Sequence, residues 1–189
     1  MSKDFQNKIV VVTGASRGIG KTIALEFGKS GSQVMCLATR KENCISVVEE
    51  ILGLGGESSA FGCHVEKSAE VSATFKEIIE KHGSVDVLIN NAGVSLPTPT
   101  LSMTEANWDQ HMDINCKSIF LCSQAVARMM KENNGGNIVN IGSILGRNAF
   151  PATLGYCTTK AAIDQMTKVL AIEWARYAIR VNCVAPGYV

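Results

Sequence analysis

Tyr156 and Lys160 stand four residues apart in a segment of helical character, Tyr156-Cys-Thr-Thr-Lys160. At that spacing two side chains share one helix face, with Cβ atoms about 5–6 Å apart. A phenol with its ordinary pKa of about 10 is a poor proton carrier at neutral pH, and an ammonium beside it favours the phenolate and brings it toward acid/base range. Such a pair also arises by chance, so its surroundings must decide. Ser143 follows an apolar β-type run, where its hydroxyl can face the same crevice and hold a carbonyl oxygen while Tyr156 supplies the proton. Asn115 lies inside a long helical segment and could bind a water linking Lys160 to solvent; the alternative is a buried amide that satisfies backbone groups at a helix distortion.

A second constellation opens the chain. The apolar run Ile9-Val-Val-Val-Thr13 leads into Gly14-Ala-Ser-Arg-Gly-Ile-Gly20. Glycines there let the backbone turn tightly, let a pyrophosphate approach without a Cβ in the way, and let the following helix pack on its strand. Gly14, Ser16, Arg17, Gly18, Ile19 and Gly20 are the candidate cofactor contacts, although the G-x-x-x-G-x-G spacing is one residue wider than the common dinucleotide fingerprint. At the end of the next strand a carboxylate would bind a ribose 2′-hydroxyl and repel a 2′-phosphate. This chain has Ala38-Thr39-Arg40-Lys41 instead, with Arg17 nearby, which predicts NADPH over NADH unless the turn is only a solvated basic one.

These residues need a scaffold. Strand candidates are Lys8–Thr13, Gln33–Ala38, Ser59–Val65, Val85–Ile89, Asn137–Gly142 and Ile179–Val184, alternating with helical segments near 18–30, 42–53, 68–82, 104–131 and 154–177. Alternating β and α units with right-handed crossovers predict one α/β domain over residues 1–189, a Rossmann doubly wound parallel sheet of order 3-2-1-4-5-6. Ligands in such sheets bind outside the carboxyl ends of the strands. The longest connection without regular structure, Asn90 to Met103, follows the fourth strand at that edge and is a candidate functional loop.

Composition narrows the partners. The 189 residues are 46% hydrophobic and 19% charged, with a net charge of +1, which fits a packed core and offers no overall field for nucleic acid or an anionic membrane. No apolar run reaches the roughly 18 residues of a membrane span, and Met1–Lys8 has no signal-type apolar segment, so the chain reads as cytoplasmic. Seven cysteines with no C-x-x-C pair read as reduced thiols used as small apolar fillers, and the spacing of His64, His82 and His111 suggests no metal site.

Thr13-Gly-Ala-Ser-Arg-Gly-Ile-Gly20, Asn90-Asn-Ala-Gly93, Asn115, Ser143, Tyr156-x-x-x-Lys160 and Pro186-Gly187 together resemble the short-chain dehydrogenase/reductase family, over residues 5 to 189. The resemblance implies hydride transfer between a nicotinamide and a carbonyl or secondary alcohol, with Asn115, Ser143, Tyr156 and Lys160 as the catalytic set. It further implies that Lys160 holds the nicotinamide ribose, that Asn91, Ala92 and Gly93 line the adenosine side, that Pro186 and Gly187 sit against the nicotinamide, and that the long fourth and fifth helices pair into a homodimer or homotetramer. His64 replaces an Asp of the family in Cys63-His-Val65, so His64 and Val65 are expected to contact adenine with weaker discrimination.

Within the family the chain looks most like the 3-oxoacyl-acyl-carrier-protein reductases of fatty acid biosynthesis, with sugar-acid (gluconate-type) dehydrogenases as the alternative. Arg128, Lys131, Arg147 and Arg176 would meet an acidic carrier, or are solvated surface charges. Family members usually continue beyond Pro-Gly with a substrate loop and a seventh strand that this sequence does not include, which keeps an NADPH-binding module without turnover as the reading from another class.

Overall fold

All five residues of β1 (Ile9–Thr13) are buried, as a strand with no polar face must be when helices cover both sides of its sheet. In the computed structural model, which describes residues 5–188, β1 lies at the centre of six parallel strands. The others are β2 (Gln33–Ala38), β3 (Glu57–Gly62), β4 (Val87–Asn90), β5 (Gly136–Ile141) and β6 (Ile179–Val184). Their order is β3-β2-β1-β4-β5-β6, with β1 pairing both β2 and β4. The predicted Rossmann topology is therefore observed, with one strand fewer than the seven of the family's sheet. The reading of residues 1–4 as free of a leader segment lies outside the described residues.

The helices are α1 (Gly18–Lys29), α2 (Ile45–Gly53), α3 (Ser68–His82), α4 (Glu105–His111), α5 (Ser118–Glu132) and α6 (Leu154–Trp174). Ala24 of α1 and Val47 and Ile51 of α2 pack against Val10, Val12 and Val34 on one face of the sheet. Phe75 and Ile78 of α3, Val126 and Met130 of α5 and, at its margin, Leu170 and Trp174 of α6 cover Val11, Leu88 and Ile138 on the other. At the β6 edge Ile179 and Val181 are buried, while Arg180, Asn182 and Val184 are exposed, so among the described residues no helix covers one face of that strand. No described helix is long and apolar enough to cross a membrane.

Two departures from the sequence reading bear on the site. β3 ends at Gly62 rather than Val65: the Cys63 N–H still donates to Ala38 O of β2 (2.7 Å), the chain then leaves the sheet, and His64 and Val65 lie in a loop. The segment 104–131 is not one regular helix. Thr104 caps α4 by accepting from the Asn107 N–H (3.2 Å), and a π-helical turn over Met112–Lys117 separates α4 from α5. Such turns insert one residue into a helix and occur often at functional sites.

Candidate active site

The glycine turn is clamped from behind by the loop after β4. The Thr13 hydroxyl oxygen accepts from the N–H groups of Asn91 and Ala92 (both 3.0 Å), and the Asn91 amide donates to Thr13 O and Gly14 O (3.0 and 3.1 Å). A Cβ on Gly14, which has φ +64°, would stand 2.9 Å from the Ala92 Cα, so this close approach requires glycine. Gly18 then starts α1 with φ +55° and open space around it. Arg17, immediately before, provides no side-chain cap, and the first turn holds no acid. An uncapped helix N-terminus keeps free N–H donors at its positive end, a site that fits a pyrophosphate. Ser16 and Ile19 are half-buried in this turn, and Gly20 is buried beneath it.

Farther along the same edge, Thr39 and Arg40 are exposed at the end of β2, as is Arg17, and neither guanidinium has an ion-pair partner among the described residues. The His64 N–H donates to Glu70 (2.8 Å), its ring Nδ1 meets Glu66 (3.1 Å), and Val65 is buried. The His64 backbone bond and Lys67 hold the Glu70 carboxyl below its ordinary range.

Between β4, β5 and α6 a cleft of about 260 Å³ brings together Ile19, Asn91, Gly93, Ser143, Tyr156, Lys160, Pro186 and Gly187. Each arrives by its own element. Ser143 leaves β5 in extended conformation, and its Oγ accepts from the Leu145 N–H (3.1 Å), which leaves the hydroxyl proton free to donate. Pro186 is drawn in after β6 because its carbonyl accepts from the Ile144 N–H (3.0 Å). Tyr156 and Lys160 occupy successive turns of α6, as the spacing predicts. Lys160 is only 5% exposed; its Nζ donates to Ile141 O (2.6 Å) and stands 5.5 Å from the Tyr156 ring centroid, within cation–π range. Desolvation pushes this ammonium down from 10.5 to about 8, with the Cys183 thiol nearby acting in the opposite direction.

Asn115 sits in the π-helical turn, fully buried. Its Oδ1 accepts from the Val94 N–H (2.7 Å), and its Nδ2 donates to Val94 O (2.9 Å) and Thr159 Oγ1 (3.1 Å). The side chain thus ties the loop after β4 to α6, one residue before Lys160. Replacing Asn115 with Leu orphans both polar groups of Val94 and is expected to cost about 3 kcal/mol of stability, read from the urea midpoint.

Several contributors carried no legible sequence signal. The Asn90 amide donates to Ser123 Oγ and Asn140 Oδ1, and Asn140 in turn donates to Thr167 Oγ1, a buried chain that locks β4 to β5 and α6. Asn90 opens the Asn90-Asn-Ala-Gly93 motif, whereas its partners at positions 140 and 167 are legible only once the strands are registered, Asn90 opposite Asn140. Of the basic candidates, Arg147 pairs with Asp164 (3.0 Å), Arg128 bonds Gln124, and Lys131 and Arg176 both lie against the Tyr177 ring. A larger groove of about 390 Å³ between α3 and α5 includes Arg128 but none of the residues of the cleft.

Residues 8–189 match the family model described as short chain dehydrogenase. The 3-oxoacyl-acyl-carrier-protein reductase of Staphylococcus epidermidis is 42% identical over 97% of this chain and 75% of its own length. A metagenomic short-chain oxidoreductase solved in complex with NADP superposes with a TM-score of 0.94 at 35% identity, over 98% of this chain and 84% of that one. An NAD+-bound xylitol dehydrogenase superposes with a TM-score of 0.95 at 31% identity, over 98% and 72%.

Proposed function

The chain belongs to the short-chain dehydrogenase family, and from that premise we propose that it is an NADPH-dependent reductase of 3-oxoacyl thioesters, carried on acyl carrier protein. It is an oxidoreductase with a nicotinamide dinucleotide cofactor and a carbonyl substrate. The observation that carries the reading is the convergence of Ser143, Tyr156 and Lys160 on one cleft that also receives Ile19 of the uncapped α1 N-terminus.

The dinucleotide, when bound, supplies the hydride. Gly14, Ser16, Gly18 and Ile19 would hold its pyrophosphate over the buried Gly20, Asn91 to Gly93 and Val65 with His64 would line its adenosine side, and Pro186 and Gly187 would lie against the nicotinamide end. Ser143 donates its free hydroxyl proton as a hydrogen bond to the carbonyl oxygen and so orients it. Tyr156 gives that oxygen a proton as charge develops on it. Lys160, stripped of water, holds a cation against the Tyr156 ring face and favours the phenolate left behind.

Arg17, Thr39 and Arg40 support the choice of NADPH, because two unpaired guanidinium groups and a hydroxyl suit a 2′-phosphate. Arg40→Asp is expected to lower the ratio of NADPH to NADH affinity by about 100-fold, the worth of one charge-assisted bond plus a repulsion, measured by fluorescence titration of both cofactors. Phe120 on α5 and Val169 and Ile172 on α6 are exposed, which supports pairing of these helices in a homodimer or homotetramer.

The experiment that tests the substrate compares NADPH oxidation with acetoacetyl thioesters of carrier protein and of coenzyme A against NADP+ reduction with a gluconate-type substrate. Turnover of the thioesters supports the proposal. Oxidation of the sugar acid with no thioester reduction replaces it with the sugar-acid dehydrogenase reading.

A further inference from the structure

Three side chains of α4 and the π-helical turn after it are spaced four residues apart, and each binds a different residue of the loop after β4. Asn107 Nδ2 donates to Thr98 Oγ1 (3.3 Å), His111 Nε2 accepts from the Leu96 N–H (3.1 Å), and Asn115 takes both polar groups of Val94. The spacings match physically. Four helical residues advance about 6 Å and two extended residues about 6.5 Å, so a helix can hold every second residue of a loop lying along it.

His111 is the middle rung. It is 1% exposed, and its two ring nitrogens have different partners. Nδ1 donates to Asn107 O (2.7 Å), since a carbonyl can only accept, and this leaves Nε2 as the acceptor for Leu96. The ring also lies against the residue before Tyr156, where a Cβ on Gly155 would stand 2.8 Å from Nδ1. The loop it holds supplies Val94 and Ser95 to the cleft, and its far end is tied to the start of α6 by the Thr98 N–H donating to Ala152 O (2.8 Å).

We propose that His111 is a positioning residue that fixes the Val94–Thr98 loop as the substrate-side wall of the cleft beside Tyr156, and so sets affinity for the carbonyl substrate. The proposal rests on the reductase reading for its kinetic consequence and on the hydrogen bonds alone for its structural one. Glutamine carries an amide oxygen about where Nε2 stands and can still accept from Leu96. Asparagine carries an amide nitrogen about where Nδ1 stands and keeps only the bond to Asn107.

The test compares His111→Gln and His111→Asn with wild type, using acetoacetyl-CoA and NADPH. H111N is expected to raise the KM for acetoacetyl-CoA about tenfold, the net worth of one hydrogen bond, with kcat and the Kd for NADPH little changed. H111Q should behave as wild type. Amide hydrogen exchange at Leu96, followed by NMR, should speed up in H111N and stay slow in H111Q.

Equal impairment of both variants, an unchanged KM in H111N, or unchanged exchange at Leu96 would overturn the proposal. Should H111N not fold, Gly155→Ala pushes the ring off its partners by another route and must raise the same KM. If wild type reduces no acetoacetyl-CoA, the thioester reading fails, and exchange at Leu96 decides the role of His111 on its own.

Discussion

Tyr156→Phe is expected to lower kcat for carbonyl reduction by about a thousandfold, within the range that a positioned general acid contributes, while leaving the Kd for NADPH nearly unchanged. The substitution removes one oxygen and preserves the ring. Lys160 keeps its contact with the ring face and its bond to Ile141 O, so the local packing survives. Ser143 still orients the carbonyl, while the Lys160 ammonium stays bonded to Ile141 O. Single-turnover measurements with saturating NADPH separate the two effects. A loss of cofactor binding as large as the loss of rate would make Tyr156 a binding residue and sink the acid role.

Lys160→Met is expected to abolish turnover and at the same time stabilise the fold at pH 7. The folded chain gives up the Lys160 proton near pH 8, the unfolded chain near 10.5, because burial penalises the ammonium. Below pH 8 both states carry the charge, and the folded state bears the whole cost of burying it, about 3 kcal/mol. Between pH 8 and 10.5 the unfolded state holds the proton that the folded state has shed, so wild-type stability rises with pH across that window. Methionine removes the cost but orphans the Ile141 carbonyl, leaving a net gain of about 1–2 kcal/mol at pH 7, or roughly 4 °C in Tm. Melting curves at pH 7 and pH 10 check the sign: the gain must shrink as pH rises. A variant less stable than wild type at pH 7 would mean that the lysine is held by favourable bonds rather than against its desolvation.

The coexistence of lost activity and gained stability would mark Lys160 as a residue kept for chemistry. Buried Cys36 and Cys44 behave differently, since desolvation pushes their thiols up to about 11 and 12, and a neutral thiol is simply an apolar filler there. The two kinds of buried titratable group thus separate by what remains charged at neutral pH.

Much of the architecture was legible beforehand, because it is written in local patterns. The unbroken β-branched run Ile9–Thr13 can serve only a doubly covered strand, the glycine turn after it needs φ values that other residues resist, and Tyr156 and Lys160 share a face by helix geometry alone. From such periods the strand order and the positions of Ser143, Tyr156 and Lys160 at one edge follow. Tertiary structure alone decided three other things. It ended β3 at Gly62, the last residue in register with β2, although the apolar pattern runs on to Val65. It broke the segment 104–131 with a π-helical turn, which no residue type announces. And it gave Asn107, His111 and Asn115 their partners in a loop up to 21 residues away in sequence. The reason is the range of the forces: periodicity and backbone sterics act between near neighbours, whereas a buried polar group must find a hydrogen bond wherever the packed chain places one.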